Sequence, residues 1–115
     1  MANTFKVVTK AGVTSADVIY TVAGSTTTVI LGLIIGNTTS SSVNATITLG
    51  TDTANRAGAN NETNQDVEIL TTTPIPGNST LELLAGNKIV METTDTLSVT
   101  GSGAVDVTLS IMEIT

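Results

Sequence analysis

Residues 43–49 read Val-Asn-Ala-Thr-Ile-Thr-Leu, and residues 105–111 read Val-Asp-Val-Thr-Leu-Ser-Ile. In both stretches apolar and polar side chains alternate without a break. Because successive side chains of a β-strand point to opposite faces, this alternation predicts strands with one buried side and one solvent-facing side. The recurring residues Val, Ile and Thr are also those that strands favour. The two stretches therefore indicate β-structure in the middle and at the end of the chain.

The same period of two continues through the rest of the sequence, and no stretch shows a convincing amphipathic helix. Turn residues such as those of Pro74-Ile-Pro-Gly-Asn and Gly101-Ser-Gly separate the apolar runs every ~8–12 residues. This pattern predicts an all-β fold, an antiparallel, jelly-roll-like β-sandwich of about 8–9 short strands. We expect a single domain over residues 1–115, with a long polar loop at about 51–66.

The composition removes most reaction chemistry. The chain has no His and no Cys, so it lacks an imidazole proton shuttle, a thiolate nucleophile and the usual ligands of transition metals. Aromatic residues make up 2% of the chain, as Phe5 and Tyr20, so the core must be aliphatic. The acids lie mostly in turns or at outward strand positions. We therefore expect no enzymatic activity, no catalytic residue, no cofactor and no metal.

Charge and hydropathy narrow the possible partners. The net charge is −6, and the four cations are scattered along the chain, whereas nucleic-acid binding requires clustered Lys and Arg. The longest apolar run, residues 29–35, is well short of the ~20 residues of a membrane helix. We expect neither nucleic acid nor membrane as a partner. Charged residues amount to 12% against ~25% in ordinary soluble proteins, so much of the surface is neutral or is covered by other subunits.

The run Val-Ile-Leu-Gly-Leu-Ile-Ile at residues 29–35 is apolar on both faces. One interpretation is a central strand in which Gly32 marks a bulge or a close backbone approach, so that the run changes faces midway. The other is a strand covered on its second face by a neighbouring subunit. The candidate interface residues of this run are Val29, Leu31, Leu33, Ile34 and Ile35. If the run forms an interface, Ile34→Asp or Leu33→Asp should dissociate an oligomer and leave the domain folded.

Two further segments break the alternation. Residues 50–66 are polar and aperiodic, and we expect them to reach solvent or an adjacent subunit, with Arg56, Asn60 and Asn61 as candidate contacts. Calcium binding by acids of this segment is a weaker alternative, because the spacing matches neither an EF-hand nor an aspartate-glycine repeat. At the C-terminus the pattern shifts phase after Ile111. A bulge near Met112 that returns Ile114 to an apolar surface is the favoured explanation, and docking of a terminal strand onto a neighbour's edge is the alternative.

Four stretches, at residues 18–30, 33–39, 73–92 and 105–114, resemble a family of small β-sandwich virion proteins of tailed phages, especially marine cyanophages. The resemblance implies a repeated building block located in the virion, assembled in the host cytoplasm, without cofactor or catalytic residues. The leading hypothesis is a capsid decoration (cement) protein that contacts the major capsid protein. The alternatives are a tail, baseplate or fibre-attachment accessory that contacts tail proteins, and a receptor- or glycan-binding module that uses the loop at 51–66. We expect a homo-oligomer, with a trimer favoured.

Overall fold

The computed structural model describes residues 2–51, 66–83 and 87–115. Over these residues the chain forms nine β-strands and no helix. In chain order the strands are β1 (Asn3–Val13), β2 (Asp17–Thr21), β3 (Thr27–Asn37), β4 (Val43–Gly50), β5 (Asp66–Ile75), β6 (Thr80–Leu83), β7 (Ile89–Met91), β8 (Thr96–Gly101) and β9 (Val105–Ile114). The predicted polar loop and its three candidate contacts lie outside the described residues.

The strands form two antiparallel sheets. Sheet A has the order β1-β9-β3-β6, with β7 also paired to β3, and sheet B has the order β2-β8-β4-β5. Strands β6 and β7 follow one another along the same edge of β3, opposite residues 33–36 and 28–30 respectively. If they are taken as one interrupted strand, each sheet has four strands, and the connectivity is that of a jelly roll. The predicted all-β, jelly-roll-like sandwich is confirmed.

The core lies between the two sheets and is built from the alternating strands. Ala45 and Ile47 of β4 and Leu97 and Val99 of β8 are all fully buried, while the Thr and Ser residues between them face outward. The predicted aliphatic core is confirmed for the described residues, since Phe5 is exposed and Tyr20 only partly buried. The largest fully buried side chains are Ile30, Leu33, Ile35, Ile47, Ile75, Met91, Leu97, Leu109, Ile111, Val99, Val105 and Val107.

Strand β3 is central in sheet A and contains a bulge. Its register with β9 shifts between Ile30 and Gly32, so Leu31 is an extra residue. The bulge places Ile30 and Leu33, three positions apart, on the same buried side. A Cβ atom at Gly32 would meet nothing within 4 Å, so this glycine does not mark a close approach. The interpretation of the run as a central strand that changes faces at a bulge is confirmed.

The C-terminal strand differs from both sequence interpretations. The register of β9 with β1 is continuous from Asn3↔Ile114 to Lys10↔Val107, so the predicted bulge near Met112 is wrong. Edge docking of this strand is excluded as well, because β9 is paired on both sides, with β1 and β3. The apolar residues change sides after Ile111 because Met112 and Ile114 lie on the outer face of sheet A, while Glu113 between them faces inward.

Asn37 ties one end of the sandwich together from a buried position. Its Nδ2 donates to the carbonyl oxygens of Ser41 (2.8 Å), Ile75 (2.9 Å) and Pro76 (3.2 Å). Its Oδ1 accepts from the backbone N–H of Thr39 (2.9 Å) and from the hydroxyl of the same residue (2.7 Å). One side chain therefore links the end of β3, the following loop and the turn after β5.

Candidate protein-contact face

The outer face of sheet A carries a continuous apolar row. The register places Phe5 opposite Met112, Met112 opposite Val29, and Val29 opposite Val90. This row crosses β1, β9, β3 and β7. Phe5 is 72% exposed and Val90 57%. Together with the other apolar side chains on this side, the row forms what we call the apolar face: Phe5, Val7, Val29, Leu31, Ile34, Val90, Met112 and Ile114.

The outer face of sheet B is chemically different. Its central strands β4 and β8 place Thr46 opposite Thr100 and Thr48 opposite Ser98. Val18 is an exposed apolar side chain on the same side, opposite Ser98. The outer face of sheet B is thus covered largely by hydroxyl side chains, which hydrogen-bond to water. Folding does not require the outside of sheet A to be apolar, so its apolar character needs another explanation.

The structure divides the candidate interface residues into three groups. Val29, Leu31, Ile34, Met112 and Ile114 belong to the apolar face. Leu33 and Ile35 are 1% and 0% exposed, so they belong to the core and do not reach the outer surface. The third group, Arg56, Asn60 and Asn61, lies outside the described residues and stays a prediction.

Three members of the apolar face were missed by sequence reasoning: Phe5, Val7 and Val90. In β4 the apolar residues of the alternating pattern face the core. In β1 the apolar residues Phe5 and Val7 face outward, and Lys6 faces inward. A period of two shows that a strand has two chemically distinct faces, but it does not show which of them meets the core. No signal in the sequence of β1 gives the direction, which follows from the pairing of Lys6 with an acidic partner in sheet A.

That partner is Glu113, which belongs to a polar cluster between the two sheets. Lys6 Nζ lies 2.7 Å from Glu113 Oε1, and the hydroxyl of Tyr20 in β2 donates to Glu113 Oε2 at 2.5 Å. The Tyr20 oxygen also lies 2.8 Å from Thr28 Oγ1. Because Tyr20 donates its one proton to a carboxylate that only accepts, the Thr28 hydroxyl donates to Tyr20. The cluster joins β2 of sheet B to β1, β3 and β9 of sheet A.

The contacts within the cluster raise the pKa of Tyr20 and lower that of Glu113. Burial, with the hydrogen bond to Glu113, raises the pKa of Tyr20 to about 12. The hydrogen bonds from Lys6 and Tyr20 hold the pKa of Glu113 below its usual value. At neutral pH the cluster therefore contains a neutral phenol hydrogen-bonded to a carboxylate. By holding Glu113 inward, it directs Met112 and Ile114 outward on either side of it.

A shallow groove interrupts the apolar face where β3 bulges. Gly32, Leu33 and Ile34 line it on β3, and Glu82 and Leu83 line it on β6. Its volume is about 200 Å³. Gly32 has no side chain, and Ser110 opposite it has a small one. This part of the apolar face therefore lies lower than its surroundings.

The exposed edge of sheet A carries features that oppose strand addition. Lys6 and Lys10 of β1 point inward, opposite the buried Ile111 and Val107, and Lys10 Nζ lies 3.5 Å from Asp17 Oδ2 of β2. The register of β1 also shifts between Lys10 and Val13, where Gly12 has a φ of 67°. Inward charges and bulges are the usual protection of edge strands. Contact through sheet A is therefore expected through its face and not through this edge.

Within the described ranges, no group of three acidic side chains is placed to hold a metal ion. The described part of the chain also contains no helix long and apolar enough to cross a membrane.

Comparison with known proteins identifies no family. No protein-family model matches the chain, and no curated protein matches it. Among solved structures, the chain is similar to a protein of the disulfide-linked pili that form Bacillus endospore appendages, with 12% identity over 99% of this chain and 87% of the other and a TM-score of 0.48. It is also similar to a chain of the T13 viral particle of IBDV, with 10% identity over 96% of this chain and 35% of the other and a TM-score of 0.26. At these TM-scores neither likeness extends to function.

Proposed function

We propose that this chain is a non-enzymatic structural protein of a tailed-phage particle, most specifically a capsid decoration protein. The observation that carries the proposal is the apolar face: a row of apolar side chains across four strands that the described residues leave exposed to different degrees. The phage assignment is supported by the sequence resemblance of residues 18–30, 33–39, 73–92 and 105–114 to small virion sandwiches.

The size and exposure of the apolar face support a contact role. Phe5, Val7, Val90 and Ile34 are 72%, 64%, 57% and 41% exposed. Fully burying one such side chain is worth about 1.5–3 kcal/mol, so covering even part of this set supplies several kcal/mol. Single exposed apolar residues are ordinary on protein surfaces, but a contiguous set marks an interaction site.

The remaining surface suits a repeated building block. The hydroxyl-bearing face of sheet B and the low fraction of charged residues, 12%, make the other side hydrophilic and sparsely charged. A decoration protein needs one face that binds the shell and one face that does not. Many modest contacts repeated over a symmetric shell then add up to a strong attachment. With no His and no Cys in the chain, surface and shape are what it offers.

The experiment is to locate the chain by electron cryomicroscopy in the particle whose genome encodes it. A copy number that follows the number of capsid subunits supports decoration. A copy number that follows the symmetry of the tail overturns decoration in favour of the tail accessory. Absence from the particle overturns the virion role altogether.

A matched pair of variants tests the face itself. Val7→Asp places a charge in the apolar face, whereas Val18→Asp places one at a similarly exposed position, 54% against 64%, on sheet B. Particles assembled with the Val7 variant should lose the protein, and particles with the Val18 variant should keep it. Equal retention of both would show that the apolar face does not attach the protein.

A further inference from the structure

We infer that two copies of this chain pair through their apolar faces, with Phe5 of each copy seated in the Gly32 groove of the other. This inference rests on the proposal that the apolar face is a protein contact, and it names a second copy as the partner of that face in the free protein, before the face contacts the particle. It is carried by one projecting side chain and one groove that lie on the same face.

Phe5 is the projecting element. It is the chain's one phenylalanine, and at 72% it has the highest exposed fraction among the large hydrophobic side chains that the structure describes. It stands on β1, at the side of the sheet, opposite the partly buried Met112. An aromatic side chain gains most from being enclosed, and aromatic anchors that fill pockets are typical centres of protein interfaces.

The groove at Gly32 has the size that this ring requires. Its volume is about 200 Å³, and a cavity of about 150 Å³ accommodates benzene. Ile34 and Leu83 provide the apolar lining, Leu33 borders the groove with almost no exposed surface, and Glu82 marks the polar border. The groove is therefore large enough to receive a phenyl ring on one side.

The positions of Phe5 and the groove favour a two-fold pair. Gly32 lies in the row Val7–Ser110–Gly32, one step along the strands from the row that contains Phe5. Phe5 and the groove are thus separated by the single strand β9, in which Ser110 leaves a low surface. When a projection and its complement lie on one face, a two-fold axis brings both contacts together at once and closes the assembly.

The available area is also that of a specific pair. Apolar patches that act as contacts typically cover roughly 300–600 Å² per copy. Face-to-face pairing of two such patches buries about 1,000 Å² in total, the lower limit of a specific interface. Two β-sheets pack well at a separation of ~10 Å, and apolar side chains from both then interdigitate. The trimer expected from the sequence is untested, but a single self-complementary face gives a dimer.

Reciprocal variants test the contact. Phe5→Ser removes the projection and leaves the groove. Gly32→Leu fills the groove and leaves the projection, and the fold accepts it because no atom lies within 4 Å of the added Cβ and Gly32 has no left-handed φ. If Gly32→Leu does not fold, Ile34→Arg closes the same groove from an exposed position. Val18→Ser, on the outer face of sheet B, is the matched control.

Sedimentation equilibrium of the purified chains gives the dissociation constants. The wild type and Val18→Ser should be dimers. Each groove or projection variant alone loses both contacts, and its dimer should weaken about 100-fold or more, since one contact is worth roughly 10- to 100-fold. A mixture of Phe5→Ser with Gly32→Leu regains one contact of the two, because the free groove of the first variant receives Phe5 of the second. Its mixed dimer should therefore be roughly 10- to 100-fold tighter than either variant alone.

Three results would overturn the inference: a monomeric wild type, a dimer that neither variant weakens, or a mixture that is no tighter than its components. The outcome is separable from that of the proposed function. A monomeric wild type that still loses its place on the particle through Val7→Asp disproves self-pairing and retains the particle contact. If the wild type is a dimer but the chain is absent from the particle, self-pairing is retained and the virion role is disproved.

Discussion

Leu33 and Ile34 are neighbours in β3 that the structure places on opposite sides of sheet A, and they should respond differently to the same truncation. Leu33 is 1% exposed and Ile34 is 41% exposed. Leu33→Ala leaves a cavity in the core and should lower the free energy of unfolding by about 3 kcal/mol, within the usual 2–5 kcal/mol. Ile34→Ala removes a side chain that is already half in water and should cost about 1 kcal/mol.

These values convert to clear differences in melting temperature. For 115 residues, an unfolding entropy of about 2.1 cal/mol/K per residue gives ~0.24 kcal/mol/K. The expected decrease is about 12 °C for Leu33→Ala and about 4 °C for Ile34→Ala. The same contrast sharpens for aspartate: Leu33→Asp buries an unpaired charge and should unfold the chain, whereas Ile34→Asp should leave it folded and impair only association.

Urea unfolding followed by far-UV circular dichroism measures the two alanine variants. It should be run at a low and a high protein concentration, because pairing through the apolar face would stabilise the folded state by mass action. The reasoning is refuted if the two variants lose equal stability at low concentration, or if Ile34→Ala loses more. Either result would mean that β3 does not change faces at the bulge. Ile111→Ala and Met112→Ala form a matched second pair on β9, and the first should cost more.

Four further predictions follow from the described contacts. Asn37→Ala removes all five hydrogen bonds of its side chain and should cost about 2–4 kcal/mol in urea unfolding. Gly77→Ala should destabilise the chain by about 1–3 kcal/mol in the same assay, because its Cβ would meet the carbonyl oxygen of Ser40. The raised pKa of Tyr20 means that wild-type stability falls as pH rises from about 10 to about 12, and Tyr20→Phe should remove that part of the alkaline decline in melting scans. The lowered pKa of Glu113 makes its contribution present above pH 4.5 and lost as pH falls further, so Glu113→Gln should flatten the acid limb of the same profile.

The alternation of β4 and β9 was sufficient to predict the fold class, because each strand's buried side is marked by an unbroken apolar series. The bulge in β3 belonged to one of the two interpretations that the sequence left open. A strand of period two cannot bury both Ile30 and Leu33 on one side, and Gly32 pointed to the place where an extra residue would be accommodated. The core composition followed from the near absence of aromatic residues.

The candidate site was only partly predictable. Five of its apolar residues, on β3 and β9, were recognised because their positions interrupt the alternation. Phe5 and Val7 were missed because they alternate regularly with polar residues, and regular alternation does not show which side of a strand faces the core. The misplaced bulge near Met112 has a related cause: an inward Glu113 is expected to be unfavourable until Lys6 and Tyr20 are known to surround it.

The sequence by itself determined that this protein is an aliphatic β-sandwich, because strand periodicity and side-chain composition are local properties. Only the tertiary structure decided which side of each strand is outside. That choice depends on partners distant in sequence: Phe5, Val29, Val90 and Met112 form one apolar row only when β1, β3, β7 and β9 lie side by side. The groove at Gly32 and the cluster around Glu113 arise in the same way, since both are assembled from strands that meet only after the chain has folded.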